Sequence, residues 1–175
     1  MQLYERIEHV DFKSEKDVVT VADHQSEEAI LEIIGQAFPD DAFLAEESGE
    51  SGEEADRLWV IDPLDGTVNY ANGIPFFAVS IGLCVEGEPV LGVVLDPTRD
   101  ELFTGLRGGG AFLNGAPIRH PIYNRLGDSV VGLVLPSPGF GPQYREIRRR
   151  VRITRAMGSS TLAQTNTANG RYDSY

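Results

Sequence analysis

The stretch Leu58-Trp59-Val60-Ile61-Asp62-Pro63-Leu64-Asp65-Gly66-Thr67 decides how this sequence is read. It opens as a short apolar strand and runs into two aspartates with a proline between them. Pro63 fixes its own φ, removes an N–H and pushes Asp62 toward an extended conformation. A sharp turn there brings both carboxylates to one side, with the Leu64 carbonyl as a further oxygen ligand. Gly66 permits a tight turn. Thr67 supplies a hydroxyl at the start of a short helix, whose free N–H groups suit an anion. A second buried strand, residues 42–45, also ends in carboxylates, Glu46-Glu47-Ser48. Strand ends hold side chains rigidly. Oxygen ligands completed by water and a substrate phosphate suit a hard divalent cation such as Mg²⁺.

Working outward, Asp23 reads as a helix cap, with Glu27 and Glu28 favouring the dipole in the first turn. Ala29, Ile30, Ile33, Ile34, Ala37 and Phe38 recur at helical spacing, and Pro39-Asp40-Asp41 ends the run. Residues 49–56 read as a polar acidic loop. Beyond Thr67 the signals are β: residues 76–85 and 89–95, joined through Glu86-Gly87-Glu88, then 101–106 and 110–113. Asn114-Gly115 is a hairpin turn signal, since both residues accept positive φ. A turn-rich linker, residues 120–128, precedes a strand candidate at 129–135, and Pro136-Ser137-Pro138-Gly139 breaks the chain. Residues 143–150 read as helix, 151–153 as strand, and 159–169 as a last helix between Gly158 and Gly170. Hairpins mixed with helices argue for an α+β fold rather than a regular βαβ series.

The chain has 175 residues, enough for one domain or one domain with part of another. Its 41% apolar and 24% charged residues exclude a mainly disordered chain. The longest apolar run, residues 76–85, is too short to cross a bilayer. The polar N-terminus does not read as a secretory leader. Cys84 is the single cysteine, which excludes an intrachain disulfide and a cysteine-rich zinc site and points to the cytoplasm. The net charge of −12 hides a split: residues 1–101 hold 24 acids and 5 Lys/Arg, residues 102–175 hold 3 acids and 10 Arg. The acidic part repels nucleic acid polymers and attracts cations. The carboxylate loop lacks the alternating ligands of an EF-hand. Gly108-Gly109-Gly110 matches no dinucleotide or P-loop fingerprint. His9, His24 and His120 show no metal-ligand spacing.

Together these segments resemble the inositol monophosphatase family of Mg²⁺-dependent, lithium-sensitive sugar phosphatases. Lys13-Ser14, then Asp17-Val18-Val19-Thr20 and Asp23, is similar to its first signature, and Ala45-Glu46-Glu47-Ser48 to its second. Residues 59–70 resemble its hallmark motif, followed by Ile74-Pro75-Phe76 and Val79-Ser80-Ile81-Gly82. Residues 108–112 with Asn114-Gly115 resemble its mid-chain hairpin, and Gly158-Ser159-Ser160 its substrate-contacting turn.

The resemblance implies that Glu46, Asp62 and the Leu64 carbonyl bind an activating Mg²⁺. Asp62 and Asp65 would bind a second, shared with the substrate phosphate, and Glu47 would sit beside a further, weaker one. Thr67 would orient the attacking water, with Asp23 accepting its hydroxyl proton. Gly66 and Thr67 N–H groups would hold phosphate oxygens; Asp65, Gly158, Ser159 and Ser160 would also face substrate. Lys13 would lie in a loop near the site.

The resemblance also implies an α/β/α/β/α layered sandwich of the sugar phosphatase type. The chain departs from the family in length. Twelve residues precede Lys13, where the family has a long first helix. Tyr175 falls before the family's Trp-Asp motif, whose Asp completes the second metal site, and Trp59 is the sole tryptophan. Residues 169–175 resemble the stretch just before that motif, so Asp173 is not the missing ligand. The expectation is therefore a metal-binding α+β domain at 1–128 and the truncated start of a C-terminal α/β domain at 129–175. The expectation is a piece of a longer enzyme, with a natural short homologue and a non-enzymatic metal-binding scaffold as the alternatives. The expected function is hydrolysis of a small polyol or sugar phosphate, inositol 1-phosphate first. Fructose 1,6-bisphosphate, histidinol phosphate, NADP and adenosine 3′,5′-bisphosphate are the alternatives. No membrane partner is expected, and a homodimer is.

Overall fold

The computed structural model describes residues 10–14, 17–52, 55–119, 125–133 and 141–175, with side chains from Thr20 onward. In chain order the elements are β1 (Val10–Ser14), β2 (Asp17–Thr20), α1 (Val21–Ala37), β3 (Ala42–Ala45), β4 (Gly49–Ser51), β5 (Arg57–Asp65), α2 (Thr67–Ala71) and β6 (Ala78–Val85). There follow β7 (Glu88–Asp96), β8 (Glu101–Leu106), β9 (Gly110–Leu113), β10 (Ala116–Pro117), β11 (Val130–Gly132), α3 (Gly141–Arg150), β12 (Ile153–Arg155) and α4 (Ser160–Ala168). The side chain of Lys13, with His9, His120 and the break at residues 136–139, lies outside the described residues.

Helix α1 begins earlier than the sequence predicts. Thr20 is its cap, accepting the Ala22 N–H at 3.2 Å, and Asp23 accepts the Thr20 N–H at 2.7 Å. Asp23 is therefore not the cap but the reciprocal partner in a capping box. Ile30, Leu31 and Ile34 pack against Ala45, Trp59 and Ile61. Ile33, which the spacing places on that stripe, is 69% exposed.

Among the described residues, eight strands form one sheet in the order β10-β9-β8-β7-β6-β5-β3-β4. Short turns make most neighbours antiparallel. At Asn114-Gly115 both φ values are positive, 49° and 78°, which matches the right-handed strand twist. Residues 49–51, expected as loop, instead pair with β3 as β4. The chain then returns on the other side of β3, so β3 and β5 are parallel, in register from Ala42↔Leu58 to Ala45↔Ile61. Two parallel neighbours finish at the same edge of the sheet.

Strand β5 does not stop at Ile61. It continues to Asp65 through a bulge, with Asp62 paired to Ser80 and Asp65 to Ala78. Pro63 has no N–H for the ladder, and the Leu64 N–H turns to Asp62 Oδ1 at 3.1 Å. Helix α1 covers one face of the sheet. On the other, Phe76 and Ala78 cluster with Leu162 of α4, against Val94. Helix α4 also touches β11, which pairs in parallel with β12 across the α3 connection. Helix, sheet, helix and sheet thus follow one another in the layered α+β sandwich that the sequence implies.

Candidate metal centre

The parallel register Ala45↔Ile61 puts the next residue of each strand, Glu46 and Asp62, side by side. The Glu46 N–H donates to Ile61 O at 3.1 Å, the last rung between the strands. Burial pushes the Asp62 carboxyl up from 3.8 to about 7. The charge of Glu46 and a hydrogen bond with it act in the same direction, Asp65 adds a further repulsion, and the Leu64 N–H opposes them. Carboxylates this close hold two negative charges comfortably only when a cation lies between them.

Next to this pair stands a second group. Thr67 Oγ1 lies 3.1 Å from Asp23 Oδ1 and 3.0 Å from the Leu64 carbonyl, and its one hydrogen serves either acceptor. The other Asp23 oxygen is engaged by Thr20, through N–H at 2.7 Å and hydroxyl at 2.6 Å. Asp23 is 2% exposed, so its orientation is set by these bonds. Gly66, at φ 95°, turns the chain from β5 into α2; a Cβ there would meet Phe76 O at 3.1 Å and Gly158 O at 3.3 Å.

Asp65 faces another way. Its carboxylate takes the Ser159 hydroxyl, the Thr161 N–H at 2.7 Å and the Ser160 N–H at 3.3 Å, at the N-terminus of α4. The structure thus brings Asp65, Ser159 and Ser160 together, with Gly158 just before them, but through bonds among themselves. Asn69 ties the same approach to the loop, donating to Phe76 O and Met157 O, each at 2.7 Å.

Three side chains of this region are not assigned to the site from the sequence alone. Ser26 Oγ donates to Pro63 O at 3.0 Å. Glu27, read as a first-turn acid that favours the dipole, lies beyond the first turn because α1 starts at Val21; it is 4% exposed and accepts the N–H groups of Glu47 at 2.8 Å and Ser48 at 2.9 Å. Asn69 is 8% exposed. The signal for the first two is spacing: Asp23, Ser26 and Glu27 continue the stripe of Ile30, Leu31 and Ile34 at helical intervals.

The donors at the Glu46–Asp62 pair are all oxygen, as a hard divalent ion requires. Among the described residues, no group of three or more His, Cys, Asp or Glu side chains converges to hold an ion. A cation here would take two carboxylates and the Leu64 carbonyl and keep several waters, the habit of Mg²⁺. The residues fit such an ion.

A profile of the inositol monophosphatase family matches residues 2–175. The inositol-1-monophosphatase of Mesorhizobium japonicum is 39% identical over 173 residues, covering 95% of this chain and 65% of that protein. The Nus factor SuhB of Pasteurella multocida is 40% identical over 181 residues, covering 98% of this chain and 68% of that protein. The structure of an IMPase from Thermotoga maritima matches with a TM-score of 0.91 at 35% identity, over 98% of this chain and 67% of that one. The chain spans 65% of the length of the first of these relatives.

Proposed function

The chain belongs to the inositol monophosphatase family, and from that premise we propose that it carries the cation-binding and water-orienting part of a Mg²⁺-dependent phosphomonoesterase. Its substrate in this reading is a small polyol or sugar phosphate, inositol 1-phosphate first. The observation that supports it is the Glu46–Asp62 pair beside the Thr67–Asp23 hydrogen bond.

When bound, a divalent cation makes water acidic enough to attack phosphorus and offsets the phosphate charge. Glu46, Asp62 and the Leu64 carbonyl would hold the first ion, Asp62 and Asp65 a second, and Glu47 a further one. Thr67 Oγ1 directs its hydrogen to Asp23 or Leu64, which leaves a lone pair to receive a hydrogen from water. Asp23 Oδ1 then takes the Thr67 proton, its other oxygen being held by Thr20. The N–H groups of Gly66 and Thr67 would hold phosphate oxygens, and Gly158, Ser159 and Ser160 would face the rest of the substrate. Residues 1–128 would form the metal-binding domain and 129–175 the start of the next, in a cytoplasmic homodimer. Among the described residues no helix is long and apolar enough to cross a membrane.

The test is phosphate release from inositol 1-phosphate, fructose 1,6-bisphosphate, NADP and adenosine 3′,5′-bisphosphate across a Mg²⁺ series. The expected result is Mg²⁺-dependent release, lost in Asp62→Asn while circular dichroism is unchanged. Release by that variant at the wild-type rate refutes the role of Asp62. One observation favours a second reading, a metal-binding module without turnover: Asp65 is engaged with the start of α4 instead of joining Glu46 and Asp62. Mg²⁺ binding with no phosphate release from any substrate selects it.

A further inference from the structure

We infer that Glu27 is a positioning residue for Glu46, fixing the turn that carries it by receiving two backbone N–H groups. The inference rests on the reading that Glu46 and Asp62 hold a divalent cation. Strand β3 makes its last rung through the Glu46 N–H. Beyond it the chain must leave the ladder to turn back into β4, so the N–H groups of Glu47 and Ser48 need other acceptors. One carboxylate takes both: Oε2 receives Glu47 N at 2.8 Å and Oε1 receives Ser48 N at 2.9 Å. The backbone of Glu46 is thereby held before it by Ile61 O and after it by Glu27, although the Glu46 side chain itself is exposed.

A buried negative charge is a costly tie in a region already holding Glu46, Asp62 and Asp23. It is kept because adjacent N–H donors need two acceptor oxygens in one rigid plane. A glutamine offers one oxygen and turns an NH₂ donor toward the other N–H. The same turn of α1 carries Ser26, which holds Pro63 O, and Asp23, which meets Thr67. Helix α1 thus sets the position of the β3 turn relative to the β5 loop, and Glu27 carries its two hydrogen bonds to the backbone of the first of these.

The experiment compares wild type, Glu27→Gln, Glu27→Asp and the exposed neighbour Glu28→Gln by two measurements. Amide hydrogen exchange is read at Glu47 and Ser48 without added metal, and Mn²⁺ affinity is read by calorimetry without substrate. In Glu27→Gln both amides should lose protection, and Mn²⁺ affinity should fall by about tenfold to a hundredfold. Glu28→Gln should match wild type in both. Glu27→Asp keeps two oxygens on a shorter stem and should fall between, and it decides the matter if the glutamine variant does not fold. Unchanged amide protection in the variants refutes the backbone tie. Wild-type Mn²⁺ affinity in Glu27→Gln, with binding lost in Asp62→Asn, overturns the role of Glu27 and spares the cation reading. Absence of Mn²⁺ binding to wild type overturns both.

Discussion

In the proposed reading Asp62 carries the chemistry, and its burial carries a cost. Its carboxyl is pushed from 3.8 to about 7 by burial first and by Glu46 next. Between those values the folded chain holds a proton that the unfolded chain has lost. Raising the pH therefore favours unfolding: the contribution is fully present below 3.8 and is lost as pH rises through about 7. In the presence of a chelator, the urea midpoint should fall as pH rises across this window, and Asp62→Asn should flatten that dependence. A chelated wild type whose midpoint rises from pH 5 to pH 7 more steeply than the variant contradicts the shift. Thr67 is tested at the same scale. Thr67→Ala removes the hydroxyl and leaves Asp23 Oδ1 without that donor. Turnover at saturating Mg²⁺ should drop by about a hundredfold or more. Thr67→Ser keeps the oxygen and should retain most activity; equal losses in the two variants would show that the methyl, not the hydroxyl, matters.

At the level of elements, what the sequence discloses follows the range of the forces involved. The Asn114-Gly115 hairpin was readable because two adjacent residues determine it. The carboxylates at 46 and 62 were readable as strand-end groups, but the parallel register that makes them neighbours depends on β4 folding back onto β3, which an acidic, weakly apolar Gly49–Ser51 does not advertise. The burial of Glu27 was hidden because acids on a helix default to solvent. Least visible was the engagement of Asp65 with Ser159, 94 residues away, since no local pattern links a β-bulge to a distant helix start. That contact carries its own prediction. Asp65 supplies a charge and acceptors to the first turn of α4, so Asp65→Ala should cost about 1–2 kcal/mol in urea unfolding. Leu162, 1% exposed, anchors the same helix on Phe76 and Ala78, and Leu162→Ala should cost about 2–5 kcal/mol. If Leu162→Ala is neutral, α4 is not docked on the sheet.

For the molecule as a whole, the division of charge along the chain is bridged by specific pairs, Arg107 with Glu88 and Arg171 with Glu101. Arg171, beyond α4, reaches back to Glu101 of β8 at 2.6 Å. Its hydrogen bond holds the Glu101 carboxyl below the usual range, and the same bond holds the Arg171 guanidinium above its own. The acids of residues 1–101 otherwise repel one another, and two agents relieve that repulsion differently. Monovalent salt screens all exposed charges together and falls off over about 8–10 Å at ordinary ionic strength. A divalent ion held by Glu46 and Asp62, as proposed, would act at one point and, by binding the folded state alone, would add about 2.7 kcal/mol at a concentration a hundred times its Kd. The thermal midpoint should therefore rise more in MgCl₂ than in NaCl at matched ionic strength. In Asp62→Asn only the part common to both salts should remain, because removing one carboxylate leaves the general field of the remaining acids nearly unchanged. If the two salts shift the wild type equally, the acidic half acts only as a diffuse field and the ion is not held between the ends of β3 and β5.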